Sequence, residues 1–171
     1  MRPITSGIGS APHRLAKQLA KSLSGLLGSI SSAHLKNSTD LIARLKTVDL
    51  KGKKLASYDV NSLFTNVPVD GAMEAVQRAL NSVSDDALPL DKSDYVKLVS
   101  LCVNFGAFEF EGEEYVQHRG LAMGSSLSAV MASMFMETLE VDEFVPIMGT
   151  ECEWYRYVDD VLVILPNNEV E

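Results

Sequence analysis

The chain has few of the residues that build disulfide frameworks or zinc sites. Cysteine occurs twice, at Cys102 and Cys152, and histidine occurs three times in 171 residues. Two distant cysteines without paired spacing or nearby histidines do not match a zinc site. The sequence also lacks an apolar run near the roughly 20 residues that span a bilayer. We therefore expect reduced thiols, no zinc finger and no association with a membrane.

What is present indicates an ordinary globular domain with an uneven charge distribution. Apolar residues make up 46% of the chain, and its length corresponds to one compact domain. The net charge of −8 is unusual for a nucleic-acid binder, but residues 1–54 carry ten Lys or Arg against two acids, whereas 55–171 carry five against 21. This division suits a part that binds nucleic acid joined to a part that binds cations, although a solvated asymmetry explains it as well.

Hydrophobic periodicity and capping residues predict both helices and strands. Helices are expected at 11–27, 37–46, 68–81, 92–103 and from about 125 to 140. Strands are expected at 55–60, read as a core strand, at 154–158 and 161–165, and in a hairpin over 107–117 around Glu111-Gly112. The pattern predicts an α+β fold in which an antiparallel sheet is backed by helices on one side, with the strand pairing left open.

Asp159 and Asp160 lie between the last two predicted strands. Adjacent carboxylates repel each other, and a cation relieves that repulsion. Aspartate also favours turns for conformational reasons, because its side chain hydrogen-bonds the local backbone. Taken alone, this pair fits a turn and a metal site equally well.

Asp59 favours the metal site, because it is an acid late in an apolar strand that contains no basic partner. If its strand neighbours the Asp159-Asp160 pair, three carboxylates converge. Such a group suits Mg²⁺, and two ions about 3.5–4 Å apart can support nucleotidyl transfer.

Four segments resemble, in order, the motifs of reverse transcriptases, and most closely those of Penelope-like retroelements. The fingers segment corresponds to RPITSGIGSAPHRLAK, and the three palm motifs correspond to SYDVNSLFTNVP, QHRGLAMGSSLSAVMASMFMETLE and WYRYVDDVLVI. The resemblance implies a right-hand polymerase fold, with a partial fingers segment at 1–54 and the palm at 55–171 forming one structural unit. It also implies that the thumb, which follows the palm in this family, is missing from these residues.

The resemblance assigns the catalytic and metal-binding roles to the acids. Asp59 and Asp159 are expected to bind both of two Mg²⁺ ions, for which Mn²⁺ is an expected substitute. Asp160 is expected to assist at the primer side, and the Val60 carbonyl to complete a metal shell.

Further residues match positions that bind substrate in the family. Phe64 is expected to lie under the sugar and exclude a 2′-hydroxyl, although a core aromatic would explain it too. Arg2 corresponds to a contact with the incoming triphosphate, and Tyr157 to a contact with the primer end. The loop that contacts nucleotide and template contains Gln117, Gly120, Met123, Gly124 and Ser125. A turn with a helix cap at Ser125 or Ser126 is the alternative reading of that loop.

The chain departs from the family at three positions in this region, where Ala122, Ser126 and Ala129 replace common prolines. The leading hypothesis is an RNA-directed DNA polymerase core that uses an RNA template, a DNA primer and dNTPs. The alternatives are an inactive nucleic-acid-binding remnant and another palm-type nucleotidyl transferase. By resemblance, the thumb and an endonuclease domain would belong to the same polyprotein, and the protein would act in the nucleus.

Overall fold

The helices of the N-terminal third are placed by apolar spacing and by caps. In this computed structural model, which describes residue 4 and residues 6–149 and 151–167, α1 spans His13–Ser24 and buries one face that includes Leu19 and Leu23. Helix α2 spans Ser38–Leu45, and the Asn37 side chain caps it by accepting the Asp40 N–H at 3.0 Å. Both helices were predicted, although α1 is shorter than the periodicity suggested.

Five further helices follow in the described part of the chain, and all of them except the last bury residues in the main core. They are α3 (Leu63–Asn66), α4 (Val69–Asn81), α5 (Lys92–Asn104), α6 (Ser126–Leu139) and α7 (Val145–Met148). A 3₁₀ turn, Asp85–Ala87, precedes α5, and a π-helical turn, Glu140–Phe144, joins α6 to α7. Helix α6 is buried on most of its surface because α1 and α4 pack against it. The first 54 residues therefore share a core with the rest of the chain, and the proposed fingers–palm boundary stays a prediction.

The strands form two antiparallel sheets. One is the predicted hairpin of β2 (Ala107–Phe110) and β3 (Glu113–Val116), whose turn residues Glu111 and Gly112 both have positive φ, as a two-residue turn of this kind requires. The other sheet has the order β1-β5-β4. Its strands are β1 (Lys53–Asp59), β4 (Glu153–Tyr157) and β5 (Asp160–Pro166).

Helices contact both faces of the three-stranded sheet. Tyr155 and Ile164 form a small second core with α2, on the face that these two residues share. Arg156 points to the opposite face, where it reaches the Ser133 carbonyl in α6. The sequence predicted helices on one side only, because the hydrophobic pattern does not reveal which face α2 covers.

The prediction of β1 as a core strand was wrong. No residue of β1 is buried, and Leu55 is 58% exposed. Within the described residues, the strand lies at the edge of the sheet and pairs only with β5, so its apolar residues are not enclosed as they would be at the centre. Asp59 is therefore an exposed acid, and burial does not account for it.

No helix in the described part of the chain is both long enough and apolar enough to cross a membrane.

Candidate active site

The strand register brings the three predicted carboxylates to one end of the sheet. Asp59, the last residue of β1, pairs directly with Asp160, the first residue of β5. The Val60 N–H donates to the Asp159 carbonyl at 2.9 Å, which joins β1 to the turn before β5. Directly paired residues on antiparallel strands have Cβ atoms about 4.5–5.5 Å apart and face the same side. The backbone thus brings Asp59 beside Asp159 and Asp160, which lie about 100 positions further along the sequence.

The carboxylates themselves are accessible. Asp59 and Asp160 are exposed and Asp159 is half-buried. Among the described residues, no three acidic, histidine or cysteine side chains are already close enough to hold a metal ion. Mutual repulsion favours rotamers that keep neighbouring carboxylates apart. The site is therefore preorganised in its backbone and not in its side chains.

The turn that carries the two adjacent aspartates is tight and strained. Tyr157 pairs with Asp160, so only Val158 and Asp159 connect the strands. Val158 has a φ of 57°, a conformation that is rare for a β-branched residue. Such outliers persist only where the surrounding structure enforces them, and they concentrate at functional sites.

Arg156 contacts this turn and was not identified from the sequence. It is fully buried, and its Nη1 donates to the Val158 carbonyl at 3.1 Å while its Nε pairs with Glu140. The available signal was an arginine in an otherwise apolar strand, which requires a buried partner.

A second buried acid, Glu137, holds the segment that runs along the outer edge of β4. Glu137 accepts the N–H groups of Gly28, Ile30 and Ser31 at 2.7, 3.2 and 3.4 Å. Burial raises the pKa of Glu137, and these three hydrogen bonds partly oppose that rise. The chain that follows Ser31 continues beside β4, where the Leu35 N–H donates to the Arg156 carbonyl at 2.8 Å. Glu137 therefore anchors the chain that covers the outer edge of β4.

The glycine loop predicted to contact nucleotide lies against the segment that follows β1. Gly120 has a φ of +73°, and a Cβ there would lie 2.7 Å from backbone atoms of Phe64 and Thr65. The Leu121 N–H also donates to the Phe64 carbonyl at 2.7 Å. Gly120 was expected to allow close approach to a base pair, whereas the approach that the structure contains is to the protein backbone. A contact with nucleotide stays a prediction.

The remaining substrate-binding candidates lie around this loop. Phe64 is half-buried and packs against the main core, which agrees with the core-aromatic alternative without testing a role at the sugar. Ser125 occupies the N-cap position of α6, but its side chain makes no capping hydrogen bond. Met123 is half-buried, and Gly124 has a φ of 108°. Tyr157 is exposed beside Asp160, whereas Arg2 lies outside the described residues.

A cleft of about 1770 Å³ opens next to the loop. Gln117, Gly120 and Ser125 line it, together with parts of α1, α5 and the hairpin, whereas none of the three aspartates does. Cavity size alone would therefore place a site in this cleft, which the three aspartates do not line. The chemistry predicted from the sequence requires these three carboxylates, so the strand register that brings them together defines the candidate site.

The fold of the chain is similar to that of reverse-transcriptase-like polymerase domains. No protein-family model matches the chain, and no curated protein sequence matches it. Solved structures do match, and among them are telomerases, which are relatives of reverse transcriptases. The fold prediction, a partial right-hand polymerase with an antiparallel palm sheet and helices, is confirmed.

The particular structures come from two yeasts. Apo telomerase from Candida tropicalis truncated from the C-terminal domain aligns over 95% of this chain and 36% of its own, with a TM-score of 0.69 and 14% identity. Candida tropicalis telomerase in complex with a TWJ fragment of telomeric RNA aligns over 94% of this chain and 29% of its own, with a TM-score of 0.71 and 13% identity. The corresponding Candida albicans complex aligns over 90% of this chain and 30% of its own, with a TM-score of 0.64 and 15% identity. The chain spans about a third of these telomerases, and at such identities the likeness establishes the fold alone.

Proposed function

We propose that this chain is the catalytic palm of an RNA-directed DNA polymerase, a reverse transcriptase, with Asp59, Asp159 and Asp160 as its catalytic carboxylates. The observation that carries the proposal is the pairing of Asp59 with Asp160, one residue from Asp159, within a fold of reverse-transcriptase type. The reaction would transfer a nucleotide from a dNTP to a primer 3′-hydroxyl and release pyrophosphate.

The donor set fits magnesium. The candidate ligands are all oxygen atoms: the three carboxylates and the Val60 carbonyl, whose residue is hydrogen-bonded to Asp159. Hard divalent cations prefer such ligands, and Mn²⁺ accepts them too. Asp59 and Asp159 would hold both ions, with Asp160 on the primer side. When bound, the two ions would lower the pKa of the attacking hydroxyl and stabilise the leaving phosphate.

The residues around the carboxylates support a nucleotide-binding role. Phe64 lies in α3, the first helix after β1, and its carbonyl accepts the Leu121 N–H of the glycine loop, so we place both segments at the proposed dNTP site. The exposed ring of Tyr157 is available to a primer terminus. Arg2, Gln117, Met123, Gly124 and Ser125 complete the proposed substrate set by their match to the family motifs.

Nucleic-acid partners are supported by the telomerases that were solved with an RNA fragment and by the basic first third of the chain. Lys53 begins the same strand that ends at Asp59, shares the face of Asp59 because side chains alternate along a strand, and lies about 20 Å away at the usual rise per residue. We assign an RNA template and a DNA primer to this face of the protein. An origin in a Penelope-like retroelement and a nuclear location belong to the same proposal and rest on the motif resemblance.

The test is RNA-templated primer extension by the longest natural protein that contains this chain, with Mg²⁺ or Mn²⁺. Asp159→Asn is expected to abolish dNTP incorporation, and Asp86→Asn, which removes an exposed aspartate from the 3₁₀ turn, is expected to leave it unchanged. Incorporation that persists in Asp159→Asn would refute the assignment of the carboxylates. Extension on a DNA template but not on RNA would instead identify another palm-type nucleotidyl transferase.

An inactive nucleic-acid-binding protein is the second candidate. It is favoured by Ala122, Ser126 and Ala129, which replace family prolines in and after the glycine loop. It predicts RNA binding that weakens with salt and no dNTP incorporation with either metal. Any metal-dependent incorporation that is lost in Asp159→Asn excludes it.

A further inference from the structure

Arg156 is a buried cation that the proposed chemistry does not use. Its side chain has 0% exposure, and it is the largest fully buried side chain in the described part of the protein. Burial of an unpaired guanidinium costs several kcal/mol. A residue with that cost requires partners, and its partners indicate what it does.

The guanidinium contacts three different elements with three different nitrogen atoms. Nε pairs with the buried carboxylate of Glu140 in the π-helical turn. Nη2 donates to the Ser133 carbonyl in α6 at 3.2 Å, and Nη1 donates to the Val158 carbonyl at 3.1 Å. Arg156 therefore connects the turn before β5 to α6 and to the π-helical turn that follows α6.

The strand that carries Arg156 is itself fixed on both edges. Arg156 pairs with Val161 of β5 on one side. On the other side its N–H donates to the Ala33 carbonyl at 2.9 Å, and its carbonyl accepts the Leu35 N–H. The side chain thus starts from a well-defined backbone position, as a group that orients another must.

The hydrogen bond to Val158 acts on the strained residue of the turn. A positive φ is sterically unfavourable for a β-branched residue and must be enforced from outside. Val158 also packs against the main core, and the Asp159 carbonyl is held by the Val60 N–H. Of these three restraints, only Arg156 draws the Val158 carbonyl towards α6.

We propose that Arg156 is a positioning residue that holds the strained Val158–Asp159 turn against α6 and so presents Asp159 and Asp160 beside Asp59. This inference rests on the proposed function for its catalytic consequence. Lysine cannot replace the arginine, because an ammonium group lacks the planar fork that reaches three acceptors in different directions.

The variants separate this role from simple support of the fold. Arg156→Met alone leaves the Glu140 carboxylate buried without its cation, so the protein could fail to fold for that reason. The informative variant is therefore Arg156→Met/Glu140→Gln, which removes both charges together. Its matched control is Lys92→Met/Asp85→Asn, because Lys92 also joins an aspartate to a backbone carbonyl, that of Val83, away from the turn and from β4.

Two measurements on the folded variants decide the matter. Hydrogen–deuterium exchange without added metal follows the peptides that contain Val60 and Val158–Asp160, and faster exchange is expected only in the Arg156 double variant. Titration with Mn²⁺ is monitored by the EPR signal of the free ion. The Arg156 double variant is expected to bind Mn²⁺ about 10- to 100-fold more weakly than the wild type, as when other residues that orient metal ligands are replaced. The Lys92 control should match the wild type in both.

Each outcome has a definite meaning. A folded Arg156 double variant with wild-type exchange and wild-type Mn²⁺ affinity overturns the proposal, as does full recovery of both in Arg156→Lys. If the wild-type chain binds no Mn²⁺, or binds it equally after Asp159→Asn, the proposed function fails, and the exchange data alone then decide whether Arg156 holds the turn. Faster exchange together with weakened Mn²⁺ binding in the Arg156 double variant supports both the positioning role of Arg156 and the proposed function.

Discussion

Among the individual residues, the aspartates and Arg156 differ in how far the sequence reveals them. Asp159 and Asp160 are visible because two acids interrupt an apolar pattern, and Asp59 is visible for the same reason. Their adjacency depends on strand pairing, which is not local and was left open. Arg156 was missed because its partners, Glu140 and the Val158 carbonyl, become neighbours only after the chain folds.

Gly120 provides a stability test at this scale. Gly120→Ala would place a methyl group 2.7 Å from the backbone of Phe64 and Thr65, at a positive φ. We expect it to lower the free energy of unfolding by about 1–3 kcal/mol through overpacking, in addition to the conformational cost. Urea denaturation followed by circular dichroism would measure the change.

The matched control is Gly112→Ala in the β2–β3 turn. Gly112 also has a positive φ, of +81°, but a Cβ there meets nothing within 4 Å. It should carry only the conformational cost, on the order of 1–2 kcal/mol. Equal losses at the two glycines would show that the contact with Phe64 and Thr65 is not tight.

Among the helices and strands, features that depend on residues close in sequence were predicted, whereas features that depend on distant parts of the chain were not. The Asn37 cap, the apolar stripe of α4 and the Glu111-Gly112 turn each lie within a few residues of the structure that they specify, and all three were found. The four-residue helices α3 and α7 are too short to show a period and were not predicted. The exposure of β1 depends on its place at the sheet edge, which the strand's own residues do not encode.

The segment beside β4 gives a pH-dependent prediction. Burial lowers the pKa of His34, with the charge of Arg156 as the next contribution. A histidine whose folded pKa lies below its unfolded value of about 6.5 stabilises the fold above that pH, and the contribution is lost as the pH falls through the folded pKa. The wild type should therefore lose more stability than His34→Gln between pH 7.5 and pH 5.

Urea unfolding at several pH values measures this difference directly. His118→Gln, which changes an exposed histidine of the loop after β3, should keep the wild-type pH dependence. A constant difference in unfolding free energy between the wild type and His34→Gln across this range would contradict the assignment to His34.

For the whole molecule, the charge division makes a prediction about nucleic-acid binding. If lysines of the basic first third contact phosphates, the logarithm of RNA affinity falls linearly with the logarithm of salt concentration, and each contact adds about 0.7 to the slope for a single strand. Lys51→Gln/Lys53→Gln should reduce the slope by up to about 1.4. Fluorescence anisotropy with a labelled single-stranded RNA measures it.

The control lies in the acidic part of the chain. Lys92 is paired with Asp85 and bonds the Val83 carbonyl, so Lys92→Gln should leave the salt slope unchanged. A slope that is identical in the wild type and the Lys51/Lys53 variant would assign the RNA-binding surface elsewhere.

The edge position of β1 also determines how this sheet can grow. Residues 33–35 occupy the outer side of β4, whereas within the described residues β1 has no strand on its outer side. Unpaired backbone groups at a sheet edge can recruit another strand, and edge lysines such as Lys53 and Lys54 discourage unwanted pairing. Any strand that extends the sheet, whether from elsewhere in the same polypeptide or from a second molecule, must therefore add next to β1, and it would arrive within reach of Asp59.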